Sequence, residues 1–218
     1  MSEKSSFIYV LPAGDLLEQK YLTLQKTIFT FVCLQHLSAD VGYVKIDLGW
    51  VVSMVLEVNY EFRLFEPSDL EGVIQVNRKC LPENYSSHFF INLFKRFPAT
   101  FIVAEVNGEI VGYIMCRIET GIPSFKILGI TRKGHVISIA VLPSHHRKGL
   151  AYELMHKATQ AMVNYNAKEC YLEVRESNLP AVNLYKKLMF ETARTIRNYY
   201  ADGEDAFVMA IQLPHSTR

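Results

Sequence analysis

The chain has 218 residues, half of them apolar, with a formal net charge of +1, enough for one well-packed domain with an appendage. Near-neutral charge argues against a nucleic-acid binder, which carries a basic excess. No apolar run approaches the roughly 20 residues of a membrane helix, and Pro12, Gly14, Asp15 and Glu18 break up any secretory signal.

In chain order, residues 1–57 are the least readable. The stretch 16–37 has a partly helical period through Leu22, Leu24, Ile28 and Phe31, and 41–52 reads as a strand. From residue 60 the pattern is orderly. Tyr60, Phe62 and Leu64 alternate with Glu61 and Arg63, a half-buried strand. Pro67-Ser68-Asp69 opens a helix capped by Ser68 or Asp69, with Leu70, Val73 and Ile74 on its inner face. Pro82 ends it in the loop Leu81-Pro82-Glu83-Asn84-Tyr85. A short helix carrying Phe89, Phe90, Leu93 and Phe94 follows. Strands over 101–106 and 110–118 are joined at Asn107-Gly108, a strong hairpin signal. Residues 120–134, with Arg132 and Lys133, read as a loop.

Residues 136–142 then form an apolar run broken only by Ser138, a buried strand. Pro143 ends it, and the basic turn His145-His146-Arg147-Lys148-Gly149 leads into a helix with Leu150, Leu154, Ala158 and Met162 at intervals of four. A strand over 170–174, a helix from Asn178-Leu179-Pro180 to Leu188, and a hairpin over 195–200 and 206–213 turning at Asp202-Gly203 complete the chain. The order is β-α-α-β-β-β-α-β-α-β-β. Cys33, Cys80, Cys116 and Cys170 form no C-x-x-C pair and read as reduced, mostly buried thiols of a cytosolic protein.

The strand, basic turn and helix form an anion site. The first N–H groups of a helix lack intrahelical partners and sit at the positive end of its dipole. Gly149 has no Cβ and admits a ligand to the backbone, and Arg147 and Lys148 add charge. A pyrophosphate suits such a turn. An ordinary basic surface turn before an amphipathic helix is the alternative reading of the same residues.

The run His146-Arg147-Lys148-Gly149-Leu150-Ala151 resembles the R/Q-x-x-G-x-G/A pyrophosphate loop of the GNAT N-acetyltransferases, with His146 at the place of Arg or Gln. Leu81-Pro82-Glu83-Asn84-Tyr85, Arg132-Lys133-Gly134-His135, Tyr171-Leu172-Glu173-Val174-Arg175, Ser177-Asn178, residues 181–185 and Tyr199-Tyr200-Ala201-Asp202-Gly203-Glu204-Asp205-Ala206 stand in the order seen in archaeal protein N-terminal acetyltransferases. Those enzymes are relatives of the NatA catalytic subunit and of RimI. The resemblance covers about residues 58–213. It implies the GNAT acyl-CoA N-acyltransferase fold, in the α/β (α+β) class, with a mixed, mostly antiparallel central sheet and helices on both faces. Residues 1–57 are then an N-terminal extension, either a true appendage or a segment upstream of a natural start at Met54.

The resemblance also assigns roles. Acetyl-CoA is the cosubstrate, held by Ile139, Ala140, Val141, Arg147, Lys148, Gly149, Leu150, Ala151, Tyr152, Asn178, Tyr185 and Lys187. Main-chain groups of 139–141 pair with the pantetheine arm, and the Val141 N–H binds the acetyl carbonyl. Tyr185 is the acid for the departing thiolate. Glu83, His135 and Glu173 are candidate bases. A peptide α-amino group ionises near pH 8, so a modest base suffices. His135 opens the 136–142 strand, and it converges with Glu173 if the two strands run parallel. The same two side chains are candidate ligands for zinc, too few for a closed structural site, and the reaction does not require it. Tyr85, Ile139 and Tyr200 bind the substrate peptide. Read alone, these residues would be core strand, helix cap and packing.

The implied function is cytoplasmic transfer of acetyl from acetyl-CoA to the α-amino group of nascent or ribosomal protein N-termini, beginning with Ser or Ala and extending to Met, in a ternary complex. Its partners are protein N-termini, with neither nucleic acid nor membrane. Two rivals stand beside it: a GNAT acting on a small amine, and a non-catalytic CoA-binding partner subunit, which would be expected to lose Tyr185, Glu83 or His135.

Overall fold

The computed structural model describes residues 59–125 and 129–214. The expectations for 16–37, for 41–52 and for a start at Met54 lie outside the described residues.

In chain order the elements are β1 (Glu61–Leu64), α1 (Leu70–Cys80), α2 (Ser87–Arg96), β2 (Phe101–Val106), β3 (Glu109–Gly121), β4 (Thr131–Val141), α3 (Leu150–Asn164), β5 (Glu169–Arg175), α4 (Leu179–Lys187), β6 (Glu191–Ile196) and β7 (Ala206–Gln212), with single 3-10 turns before α1, β2 and α3. The seven strands form one sheet in the order β1-β2-β3-β4-β5-β7-β6. Only β4 and β5 pair in parallel. The expected order and the mixed, mostly antiparallel sheet are both observed.

Two apolar layers fill the two faces of the sheet. On one, Leu150, Leu154, Met155, Ala158 and Met162 of α3 pack with Ile114, Cys116, Val136, Leu172 and Met209. On the other, Val73 and Ile74 of α1 and Phe90 and Leu93 of α2 pack with Phe101, Val103, Tyr113 and Met115. The hairpin at Asn107-Gly108 has both residues at positive φ, 51° and 84°, as a tight two-residue turn between twisted strands demands. Gly134 is required by contact. A Cβ there would lie 2.2 Å from the Met162 sulfur.

Three boundaries differ from expectation. The stretch 120–134 is mostly strand: β3 runs to Gly121, β4 begins at Thr131, and Glu119, Thr120 and Gly121 pair with Lys133, Arg132 and Thr131. Lys133 looks like a loop residue by its charge, but its ammonium is buried 3.0 Å from the Glu169 carboxylate, and a partnered charge can stay inside. His135 therefore stands within β4 rather than opening it. The last hairpin is shifted, with β6 ending at Ile196, so Tyr199 and Tyr200 belong to the connection before β7. Neither Ser68 nor Asp69 caps α1 through its side chain. The Asp69 carboxylate instead accepts from the Glu66 N–H and from Arg63.

Candidate active site

The site begins with one extra residue in β4. Met115 of β3 faces Ser138 and Cys116 faces Val136, which leaves Ile137 unpaired as a bulge. The parallel pairing of β4 with β5 covers only Lys133 to His135 against Glu169 to Tyr171. Beyond it, both strands continue without pairing to each other. Asn77 of α1 donates to the Tyr113 hydroxyl, which is bonded to Ser138 at 2.7 Å. This buried chain ties the bulge to the helix layer.

Beside the free end of β4 lies a cleft of about 600 Å³. Its walls are the end of β4 (Ile139, Ala140, Val141), the start of α3 (Gly149, Leu150, Ala151, Tyr152), α4 with its cap (Asn178, Ala181, Tyr185, Lys187) and the end of α1 (Lys79, Cys80, Leu81). Gly149 caps α3 at φ 85°, and Arg147 before it is also left-handed at φ 62°. This bend presents the first N–H groups of α3 at the mouth of the cleft, where an anion is favoured. The His146 Nε2–H donates to the Val141 carbonyl at 2.7 Å, closing the loop onto the strand it follows. The Tyr60 hydroxyl bonds His145 Nδ1 at 2.8 Å. Tyr185 is buried, and that burial, with Tyr200 nearby, pushes its hydroxyl well above the usual tyrosine range. It therefore carries its proton at neutral pH.

A second group of polar side chains does not line that cleft. His135 Nε2 donates to the Glu173 carboxylate at 2.7 Å, between adjacent parallel strands. Arg175, two residues further along β5, joins three segments. It pairs with Glu83 of the α1–α2 loop at 3.1 Å and with Asp202 and Glu204 of the β6–β7 connection at 2.7 and 2.8 Å. Its guanidinium lies 3.9 Å from the centroid of the Tyr200 ring. The Tyr85 hydroxyl donates to the carbonyl of the bulged Ile137 at 3.3 Å. The Tyr85 and Tyr199 hydroxyls are both pushed up by burial, with the Glu83 and Glu173 charges adding to it. The result is a cluster of acidic and tyrosine side chains under two loops fastened by one arginine.

Residues 70–190 match the Acetyltransferase (GNAT) family. An N-alpha-acetyltransferase of Sulfurisphaera tokodaii is 51% identical over 156 residues, 71% of this chain and 93% of that protein. The chain belongs to the GNAT acetyltransferase family. Its fold is similar to Ard1 of Thermoplasma volcanium, with a TM-score of 0.63 and 26% identity over 72% of this chain and 100% of that one. It is also similar to Naa20 of Chaetomium thermophilum in complex with a bisubstrate analogue, with a TM-score of 0.63 and 27% identity over 70% of this chain and 86% of that one. The chain is thus an acetyl-CoA-dependent acyltransferase.

Within this acetyltransferase the expected coenzyme residues surround the cleft, with one exception. Lys148 is not in its wall; its ammonium lies 5.9 Å from the Tyr60 ring centroid. Asn178 accepts from the Ala181 N–H as the cap of α4 and also lines the cleft. Glu83, Tyr85, His135, Glu173 and Tyr200 are gathered in this second cluster. Glu83 is 41% exposed and ion-paired rather than simply solvated. Sequence reasoning missed Arg175, although it ends the quoted Tyr171-to-Arg175 motif opposite an acidic loop, and that complementarity was the available signal. It also missed Lys79 and Cys80, whose helix is apolar-periodic and gave no sign of reaching the cleft.

A metal does not fit His135 and Glu173 as they stand. The imidazole nitrogen is bonded directly to the carboxylate, and among the described residues no group of three or more His, Cys, Asp or Glu could hold an ion. No helix among the described residues is long and apolar enough to cross a membrane.

Proposed function

We propose that this acetyltransferase acts in the cytoplasm on the α-amino group of protein N-termini, transferring acetyl directly from acetyl-CoA within a ternary complex. Residues 58–213 are the catalytic domain. The reading is carried by one observation: β4 stops pairing with β5 after His135, with the cleft beside its free end and the His135–Glu173 pair where the pairing ends. A thioester at the end of β4 would meet an amine arriving past Tyr85 and Tyr200, and holding two reactants in register removes much of the barrier.

The geometry supports the following roles. The start of α3 holds the coenzyme phosphates, and the free edge of β4 holds its arm. The α-ammonium gives one proton to the His135–Glu173 pair. Its nitrogen then forms a bond to the acetyl carbon, and the carbon–sulfur bond breaks. Tyr185 supplies a proton to the departing sulfur and recovers one from the attacking nitrogen. The Tyr85, Tyr199 and Tyr200 rings line a path suited to a peptide backbone. Ser- and Ala-starting termini, with Met-starting ones beside them and nascent or ribosomal proteins as their source, are the substrates we assign. The relatives named N-alpha-acetyltransferase support an α-amino group as the acceptor.

The test is a steady-state assay with Ser-, Ala- and Met-starting peptides beside spermidine and a peptide with only an internal lysine amine. Acetylation of α-amino groups alone is expected. Turnover of spermidine alone would establish the small-amine reading, and turnover of none would establish the non-catalytic module.

A further inference from the structure

His135 has a second nitrogen, and its surroundings are built. The residue is 8% exposed. Nε2 is spent on Glu173, and Nδ1 is buried without a protein hydrogen-bond partner. The ring lies flat on Tyr171, with centroids 4.2 Å apart and planes 14° from parallel. Tyr171 is the register partner of His135 on β5. Its hydroxyl donates to Glu119 of β3 through a short hydrogen bond. Glu119 is itself held by Arg117 at 2.7 Å. The other oxygen of Glu119 stands 4.0 Å from Nδ1. That span is too long for a direct hydrogen bond and suits one water donating to both acceptors. The ammonium of Lys133 lies 4.2 Å from the centroid of the same tyrosine ring.

We propose that Tyr171 and Glu119 are positioning residues for the acetyl transfer, fixing the plane of the His135 imidazole and keeping its hydrogen on Nε2, where it holds Glu173. This rests on the reading of His135 and Glu173 as the pair that receives the amine proton. Tyr171 supplies a flat platform, and its bond to Glu119 prevents the platform from turning. A water held by Glu119 would satisfy the Nδ1 lone pair and leave the ring no reason to rotate or to move its hydrogen. Glu173 is then the acceptor presented to Tyr85, Tyr199 and Tyr200, each of which its charge pushes upward. Partial burial opposes ionisation of Glu119. The Tyr171 hydroxyl and Arg117 outweigh it and hold this carboxyl below its ordinary value.

The test uses the full chain labelled with 15N-histidine, His135 being identified by the signal lost in His135→Gln. In the wild type we expect an Nε2–H proton protected from exchange and a bare Nδ1. Glu119→Ala should broaden the Nε2–H signal and lower kcat roughly tenfold, with the KM for acetyl-CoA unchanged. Tyr171→Phe keeps the ring and its packing, so it serves even if Glu119→Ala does not fold. It should move both readouts the same way by a smaller step, and Glu119→Asp should restore part of the loss. A wild-type hydrogen on Nδ1 would overturn the proposal. So would an unchanged His135 signal in Tyr171→Phe, or a loss of kcat that follows a lowered melting temperature while the signal stays put. If no α-amino group is acetylated but the His135 signal still responds, the positioning stands and the substrate assignment fails.

Discussion

Single side chains decide what this site can do, and Arg175 is the clearest case. It bonds Glu83, Asp202 and Glu204 and covers Tyr200. Each pair is partly exposed and worth little alone in water. Their joint effect is to fix two loops at one spacing, which matters for peptide binding more than for stability. Arg175→Met should raise the KM for the peptide about tenfold while leaving acetyl-CoA affinity intact, measured by steady-state kinetics and calorimetry. Tyr185→Phe removes a buried hydroxyl that stays protonated at neutral pH. It should lower kcat about a hundredfold with coenzyme affinity unchanged; equal turnover would remove Tyr185 from the chemistry. Glu83→Ala frees Arg175 from the α1–α2 loop and should reorder the preference among Ser-, Ala- and Met-starting peptides. An unchanged profile would place Glu83 outside substrate selection.

At the level of elements, the start of α3 and the body of β4 carry the site. A Cβ on Gly149 meets nothing within 4 Å, but the residue sits at φ 85°. A β-branched side chain is strained there, and it would stand where the coenzyme phosphates approach. Gly149→Val should therefore abolish acetyl-CoA uptake in a titration, and the backbone strain should lower the melting temperature by a few degrees. β4 is held from inside by the Lys133–Glu169 pair, with Glu169 only 3% exposed. Glu169 also accepts from the Ser124 N–H and hydroxyl, which pins the β3–β4 connection. Lys133→Met leaves that carboxylate buried without its counter-charge and should lower unfolding free energy by about 3 kcal/mol in urea.

For the molecule as a whole, part of the acid stability comes from the place where β1, β2 and α1 meet. Arg63 joins Asp69 and Glu105 at 2.7 and 2.6 Å. The Arg63 hydrogen bonds hold the Asp69 carboxyl below its ordinary value despite its partial burial, helped by the Glu66 N–H. A carboxyl depressed in the folded state contributes stability above its unfolded value, and that contribution is lost as pH falls through the folded one. The urea midpoint should drop below about pH 5, and Asp69→Asn should flatten part of that drop.

The amino-acid sequence by itself determined the element order and pointed to the basic turn before α3 as a candidate anion site. Those features depend on local period, turn residues and caps, which neighbouring residues specify among themselves. The motif likeness extended this to a coenzyme and a set of candidate residues. Tertiary structure alone decided that β4 carries one residue too many opposite β3, that it leaves β5 after His135, that Arg175 reaches Glu83, and that Glu119 and Tyr171 stand around His135. Such contacts join residues up to 92 positions apart, as Glu83 and Arg175 are, and a pairing register or an ion pair across that separation leaves no periodic trace in either segment. The buried Lys133 and the shifted last hairpin were misread for the same reason: a charge or a tyrosine pair takes its meaning from the strand it meets.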